Sequence, residues 1–409
     1  MIQKGKRVTS FVLLALAALT TACGPTQVPD TLVDSDDPEL RRIVGELLPD
    51  LTKRSGLELK APVRVARRSR EELVRYLRAK LDQEMPPQQA EAITESYRLL
   101  GLVPAGLDLR ALLLSVYTEQ VAGFYDPDST ALFVLDDQPA DALRTVLIHE
   151  LVHAVQDQSI DLDSLTARGR GNDRQMAAQA AIEGHATLVM FEYLTEQMQR
   201  RPVDLTEVPD FMAQVRPALE GLRTQYPELA RAPRIIQETL LFPYLEGAGF
   251  VLRLWHEAGG RPSPLAAWLP QSTEQVIEGA STLPPGRDEP TEVRLQVAGE
   301  RYTNTLGRME AGVLLEQLAG AAAARAARGW DGDRFALLGS GAGSALVWVT
   351  VWDDARARDL FVATLRPALG ALPRVATLEA RDVEGRPAAL LRVGTQAAVT
   401  VTLDAAGAR

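Results

Sequence analysis

Apolar residues recur at three- and four-residue spacing through most of the first third of the chain and predict helices there. "PELRRIVGELL" carries such a stripe from Pro38. "RRSREELVRYLRAKL" opens with Ser69 and Glu72 in capping-box relation. "MPPQQAEAITESYRLLGL" begins on prolines suited to a first turn and closes on Gly101. Between the first two, "LELKAPVRVA" reads as a short strand. The period changes at "VAGFYDPDSTALFVLDD", where apolar runs flank an Asp126-Pro127-Asp128-Ser129 turn and predict a hairpin. Its second arm, Ala131 to Leu135, is almost continuously apolar. Asp136 or Asp137 is placed to cap the following helix, with Pro139 in its first turn.

That helix contains "TVLIHELVHAVQDQ", and a polar, Gly-containing connector leads from it to a second long helix ending near Arg200. Helical patterns return at "DFMAQVRPALEGL" and "LLFPYLEGAGFVLRLWHEA", and Ser272 caps "STEQV" with Gln275 three residues on. The Pro- and Asp-rich "TLPPGRDEPTE" is the clearest boundary. Beyond it come a helix over "NTLGRMEAGVLLEQLAGAAAARAARG", strands at "RFALLGS" and "SALVWVTVWD", the helix "ARARDLFVATLRPAL" and a hairpin turning at "EGRP". The expectation is an α+β protein: a mainly helical domain over residues 39–285 with a small sheet, then a smaller α+β domain over 290–409. Asp331, Asp333, Asp353 and Asp354 in the latter read as turn and cap residues rather than as calcium ligands.

The chain has four histidines, and two of them fall in H149-E-L-V-H153. Residues i and i+4 share one helix face about 6 Å apart, so both imidazoles can reach one metal ion. Glu150 is turned about 100° from His149, beside such an ion, where it can take a proton from a water. Leu147, Ile148, Leu151, Val152, Ala154 and Val155 surround the motif with apolar surface, in which an uncompensated carboxylate costs several kcal/mol. A catalytic zinc needs a third protein ligand. "MAAQAAIEGHATLVMF" offers Glu183 or His185, which lie about 200° apart on a helix, so only one can face the ion. Gly184 beside them allows a close helix approach. Asp157, one turn past His153, is placed to orient it from behind. The oxyanion of an acyl-transfer reaction wants a further donor, for which Tyr244, His256 and Tyr125 are candidates, Tyr244 first because glycines follow it closely.

Composition adds location. The chain of 409 residues is 46% hydrophobic and 24% charged with net charge −10, an ordinary globular balance that lacks the basic face nucleic-acid binding needs. Lys4, Lys6 and Arg7 precede a short apolar core from Phe11 to Leu19, too short for a membrane span, and then "LTTAC". This resembles a bacterial lipoprotein signal over residues 1–22, with Thr20 where leucine is usual. It makes Cys23, the one cysteine, the lipidated N-terminus. Residues 23–38 then read as a tether.

The motifs together resemble the gluzincin metallopeptidases, and more closely a group of bacterial lipoprotein zinc peptidases. The resemblance rests on "VAGFYDPDSTALFVL", "HELVHAVQDQ", "AAIEGHATLVM", "FPYLEGAGFV", "STEQV" and "GWDGDR", spread over about residues 40–360. The group usually has an acidic residue where His185 stands. The resemblance implies a zincin-like fold, Zn2+ on His149, His153 and Glu183, and Glu150 as base. It also implies a substrate strand pairing along an edge strand, expected at Ala131–Leu135. Three functions fit: an envelope-anchored zinc peptidase acting on a peptide or protein, a zinc amidase acting on cell-wall peptides, and a non-catalytic binding module. A binding module has no use for Glu150, which favours the first two. Oligomeric state is not legible.

Overall fold

The computed structural model describes residues 10–13, 32–279 and 287–404. Cys23 and residues 23–31 of the expected tether lie outside them. In chain order the first half contains β1 (Ser10–Leu13), β2 (Val33–Asp34), α1 (Pro38–Ser55), β3 (Val63–Arg68), α2 (Arg70–Glu84), α3 (Pro87–Leu99), α4 (Leu109–Gln120), β4 (Val121–Asp126) and β5 (Ala131–Leu135). The capping box at the head of α2 is formed: Glu72 N donates to Ser69 Oγ at 3.3 Å and Ser69 N to Glu72 Oε2 at 2.8 Å. The hairpin turns where expected, with Asp126 Oδ2 accepting from the main chain and hydroxyl of Ser129.

These strands make one sheet in the order β1-β4-β5-β3-β2, with β4 antiparallel to β5 and β3 parallel to it. Strand β5 is therefore central, paired on both sides, which corrects its expected place at an edge. Its continuous apolar run follows from that burial. The flank of β4 is taken by β1, from within the expected leader, with Ser10 opposite Tyr125 and Phe11 opposite Phe124.

Helices follow: α5 (Ala140–Asp157), α6 (Leu162–Leu165), α7 (Asn172–Gln199), α8 (Phe211–Gln225), α9 (Pro227–Arg231), α10 (Arg234–Ala258) and α11 (Thr273–Glu278). Neither Asp136 nor Asp137 caps α5; Pro139 holds the cap position without a side-chain bond, and Asp137 instead takes Arg70 Nε and Nη2 at 2.7 and 3.0 Å. No described helix is long and apolar enough to cross a membrane. From Met176 to Glu192 every residue of α7 except the half-buried Gln179 is buried, as befits a helix at the centre of a core. Helix α10 lies along it. A Cβ on Gly184 would sit 2.0 Å from the carbonyl carbon of Gly247, and one on Gly247 would sit 2.1 Å from Ala180 O. The two backbones touch there, as the glycine beside Glu183 suggested.

The C-terminal part comprises β6 (Glu292–Val297), β7 (Glu300–Asn304), α12 (Gly307–Ala319), β8 (Trp330–Leu338), β9 (Ala345–Trp352), α13 (Ala355–Leu365), β10 (Ala376–Val383), β11 (Arg386–Val393) and β12 (Val399–Asp404). Helix α12 is shorter than its sequence pattern, because Gly320 leaves it at φ 95° and a 3-10 stretch follows. An antiparallel sheet runs β10-β11-β9-β8-β7, and β6 and β12 form a separate ribbon. In β9 the side chains divide by parity. Leu346, Trp348 and Trp352 join the main core, while Val347, Val349 and Val351 pack on Val293, Leu295 and Val297 of the ribbon. Both faces are covered, so the strand reads as one apolar run. The main core is continuous from Val33 to Val393, and α12 packs against α7, α10 and α11. The whole is an α+β fold.

Candidate metal centre

Helix α5 presents His149, Glu150 and His153, all buried, toward α7. Glu183 of α7 answers with one oxygen: Oε2 lies 3.2 Å from His149 Nε2 and 3.4 Å from His153 Nε2. Zinc bonds of about 2.0–2.1 Å to tetrahedral ligands separate ligand atoms by about 3.3 Å, so the donor atoms are spaced as that ion requires. The polar atoms left over point the same way. His153 Nε2 and both oxygens of Glu150 are buried without a hydrogen bond, a state that costs free energy unless a ligand or water completes it. The residues fit a zinc ion.

Electrostatics agree. Burial pushes His149 down to about 4. Burial would do the same to His153, but the carboxylate of Glu183 outweighs it and lifts that imidazole to about 9. Glu183, in spite of its own burial, is held near 2 by His153 and His149. The one extra proton of His153 thus balances the Glu183 carboxylate, in the place where a metal cation would supply the positive charge. Burial raises Glu150 to about 8, against the opposing charge of His153. It is a carboxyl tuned close to neutral pH.

The residue behind His153 is Gln156, not Asp157. His153 Nδ1 is 2.8 Å from Gln156 Oε1, while Gln156 Nε2 donates to Ile182 O at 3.1 Å and faces His185 Nδ1 at 3.1 Å. A main-chain carbonyl only accepts, so the amide nitrogen must face Ile182, and the remaining roles follow. Gln156 accepts from Nδ1–H of His153, which turns Nε2 toward Glu183, and the proton that the carboxylate holds on this imidazole sits there. His185 accepts at Nδ1 and donates from Nε2 to Ser55 O at 2.9 Å. His185 is thus a buried structural histidine, edge-on to Trp255 and turned away from Glu183 around α7. Asp157 is engaged elsewhere, accepting from Tyr125 OH at 2.9 Å and from Leu162 N. The sign in the sequence was Gln156 itself, three residues after His153.

Of the three candidate oxyanion donors, the structure brings only Tyr244 to the cluster. Its ring stacks 6.1 Å from that of His149 at 30°, and its hydroxyl bonds Glu183. The Tyr125 hydroxyl is committed to Asp157, and His256 is exposed at the far end of α10. Tyr244 keeps partial exposure where its neighbours do not. On the opposite side, β4 runs directly under α5. A Cβ on Gly123 would meet Val146 at 2.6 Å, and the Tyr125 main chain faces Glu150 and favours its charged form.

Residues 293–407 match a family described as a domain of unknown function (DUF8575), which covers β6 to β12 and none of His149, Glu150, His153 or Glu183. Comparison with curated proteins and with solved structures gives no match.

Proposed function

We propose that the chain is a zinc-dependent peptide hydrolase of gluzincin type, with His149, His153 and Glu183 as metal ligands. The observation that carries this is the single Glu183 oxygen set 3.2 and 3.4 Å from the two imidazole nitrogens, next to an unbonded Glu150. Zinc, when bound, acidifies a water and polarises a carbonyl. Glu150 receives the proton of the attacking water and returns it to the departing amine, roles suited to a carboxyl raised toward neutrality. Tyr244, as a phenol, donates a hydrogen bond to the developing oxyanion. Gln156 keeps His153 in the tautomer whose Nε2 is free to coordinate.

Strand β4 is the substrate strand in this reading, in place of β5. The segment on its flank comes from the expected leader, residues 1–22. A chain processed at Cys23 would carry unpaired main-chain groups along β4 beside Glu150, where an extended peptide can add by backbone pairing. Lipidation of Cys23 would hold the enzyme at the cell envelope.

The test is metal analysis of the mature chain with a peptide-library digest, repeated on Glu150→Gln. One zinc per chain in both proteins, with cleavage only in the parent, is the expected result. Unchanged cleavage by Glu150→Gln would refute the mechanism. Stoichiometric zinc without cleavage of any peptide would favour the binding module.

A further inference from the structure

A cavity of about 150 Å³ lies where the helical part meets the C-terminal part. Its wall is mostly apolar: Ile93 of α3, Leu109 and Leu113 of α4, Ile236 and Leu240 of α10, and Phe335 of β8. Ile93 and Leu240 are half-buried where the other four are buried, so the cavity opens to solvent past those two. A benzene-sized molecule fits an apolar cavity of that volume.

Glu310 of α12 is the one charged residue of the wall among the described residues, and it is only 1% exposed. Oε1 is satisfied twice, accepting from Tyr97 OH at 2.7 Å and from Asn172 Nδ2 at 2.8 Å. Oε2 is buried without a hydrogen bond, and no described cation pairs with the carboxylate. The first turn that carries Glu310 is held in place by Asp333, which accepts from Leu306 N and Gly307 N, both at 2.9 Å. The side chain therefore has lost water from both oxygens and regained hydrogen bonds at one. A buried oxygen in that state calls for a donor, best of all a charged one.

We infer that this cavity binds a small primary ammonium with an apolar body, its nitrogen donating to Glu310 Oε2. The alkyl or aryl group fills the space between α4 and α10. Charge and shape select together. An anion is repelled by Glu310, and by Asp173 and Asp333, whose charges bear on the same carboxyl. A purely apolar molecule fills the space but leaves Oε2 without a donor. An ammonium supplies a charge-assisted hydrogen bond at one end and buried apolar area at the other. Residues of α3, α4, α7 and α10 line the cavity with residues of β7, β8 and α12, so the ligand would bridge the two parts of the chain. His149, Glu150, His153 and Glu183 take no part in it.

The test is calorimetric titration of the mature chain with benzylamine and with benzyl alcohol, its uncharged counterpart of the same shape. Burial lifts Glu310 to about 8, so a pH of about 8.5 leaves it mostly ionised while a primary ammonium keeps its charge. Benzylamine should occupy one site per chain and raise the thermal midpoint as its concentration rises. Benzyl alcohol should bind at least about ten-fold more weakly. Glu310→Gln should weaken benzylamine about ten- to a hundred-fold and bring the two ligands level. Ile93→Trp, which fills the cavity from a half-buried position, should abolish the binding of both. No binding of benzylamine by the parent would overturn the site, as would equal binding of the alcohol. Affinity unchanged in both variants would overturn it too, and would place the amine elsewhere, on a bound metal for instance. None of these readouts depends on peptide cleavage.

Discussion

Gln156 Oε1 lies 2.8 Å from Nδ1 of His153, and the same amide reaches α7 through Ile182 O and His185 Nδ1. One side chain therefore fixes which nitrogen of His153, a proposed metal ligand, faces Glu183, and also holds the helix that carries Glu183. Gln156→Leu keeps the bulk and removes both functions. Zinc affinity, measured by competition with a chelator, should fall about 10- to 100-fold. Unchanged affinity would mean that packing alone orients His153.

The contact between Gly184 and Gly247 sets how near Glu183 comes to the imidazoles. A methyl at residue 184 meets backbone atoms at 2.0–2.6 Å, which cannot rotate aside. Gly184→Ala should lower unfolding stability by about 1–3 kcal/mol. It should also weaken zinc binding, since α7 must shift. Gly221→Ala, where a Cβ meets nothing within 4 Å, is the control and should be neutral or slightly stabilising. Denaturant unfolding and chelator competition read both effects.

Much of this centre was legible in the sequence, because its ingredients are local. The i, i+4 histidines, the apolar surround of Glu150 and the small residue beside Glu183 are statements about single helices. Helical phase said that Glu183 and His185 could not both face the imidazoles, and the resemblance pointed to Glu183. What escaped was set by partners distant in the chain. Asp157 and Gln156 were both near the right face of α5, and only the position of Ile182 and His185 on α7 decides between them. Strand β5 lost its edge because β3, more than sixty residues earlier, pairs with it in parallel. Asp137 lost its capping role to Arg70 of α2 in the same way.

Tyr244 touches the cluster through both its ring and its hydroxyl. If the phenol serves the transition state, Tyr244→Phe should lower kcat about 10²- to 10³-fold while KM and zinc content stay near those of the parent. A hydroxyl that merely braces Glu183 would instead show as weaker zinc binding with kcat preserved in excess metal. Steady-state kinetics at saturating zinc separate the two.

Glu310 of α12 gives a stability effect outside the His149–His153–Glu183 cluster. Its Oε1 accepts from Tyr97 OH at 2.7 Å and from Asn172 Nδ2 at 2.8 Å, while Oε2 is buried without a partner. Tyr302 stands nearby, and the carboxylates of Asp333 and Asp173 oppose its charge. Burial, with those charges, pushes Glu310 from 4.5 up to about 8. Between those values the unfolded chain has released a proton that the folded chain keeps. Stability therefore falls as pH rises through the window, by up to about 1.4 kcal/mol per pH unit for this one group, and levels off above pH 8. Glu310→Gln retains an acceptor for Tyr97 and Asn172 and never ionises. Parent and variant should differ little at pH 4.5 in urea unfolding, and the variant should gain steadily on the parent toward pH 8. A difference that is constant across that range would mean Glu310 ionises with its ordinary pKa, its charge neutralised by some other group.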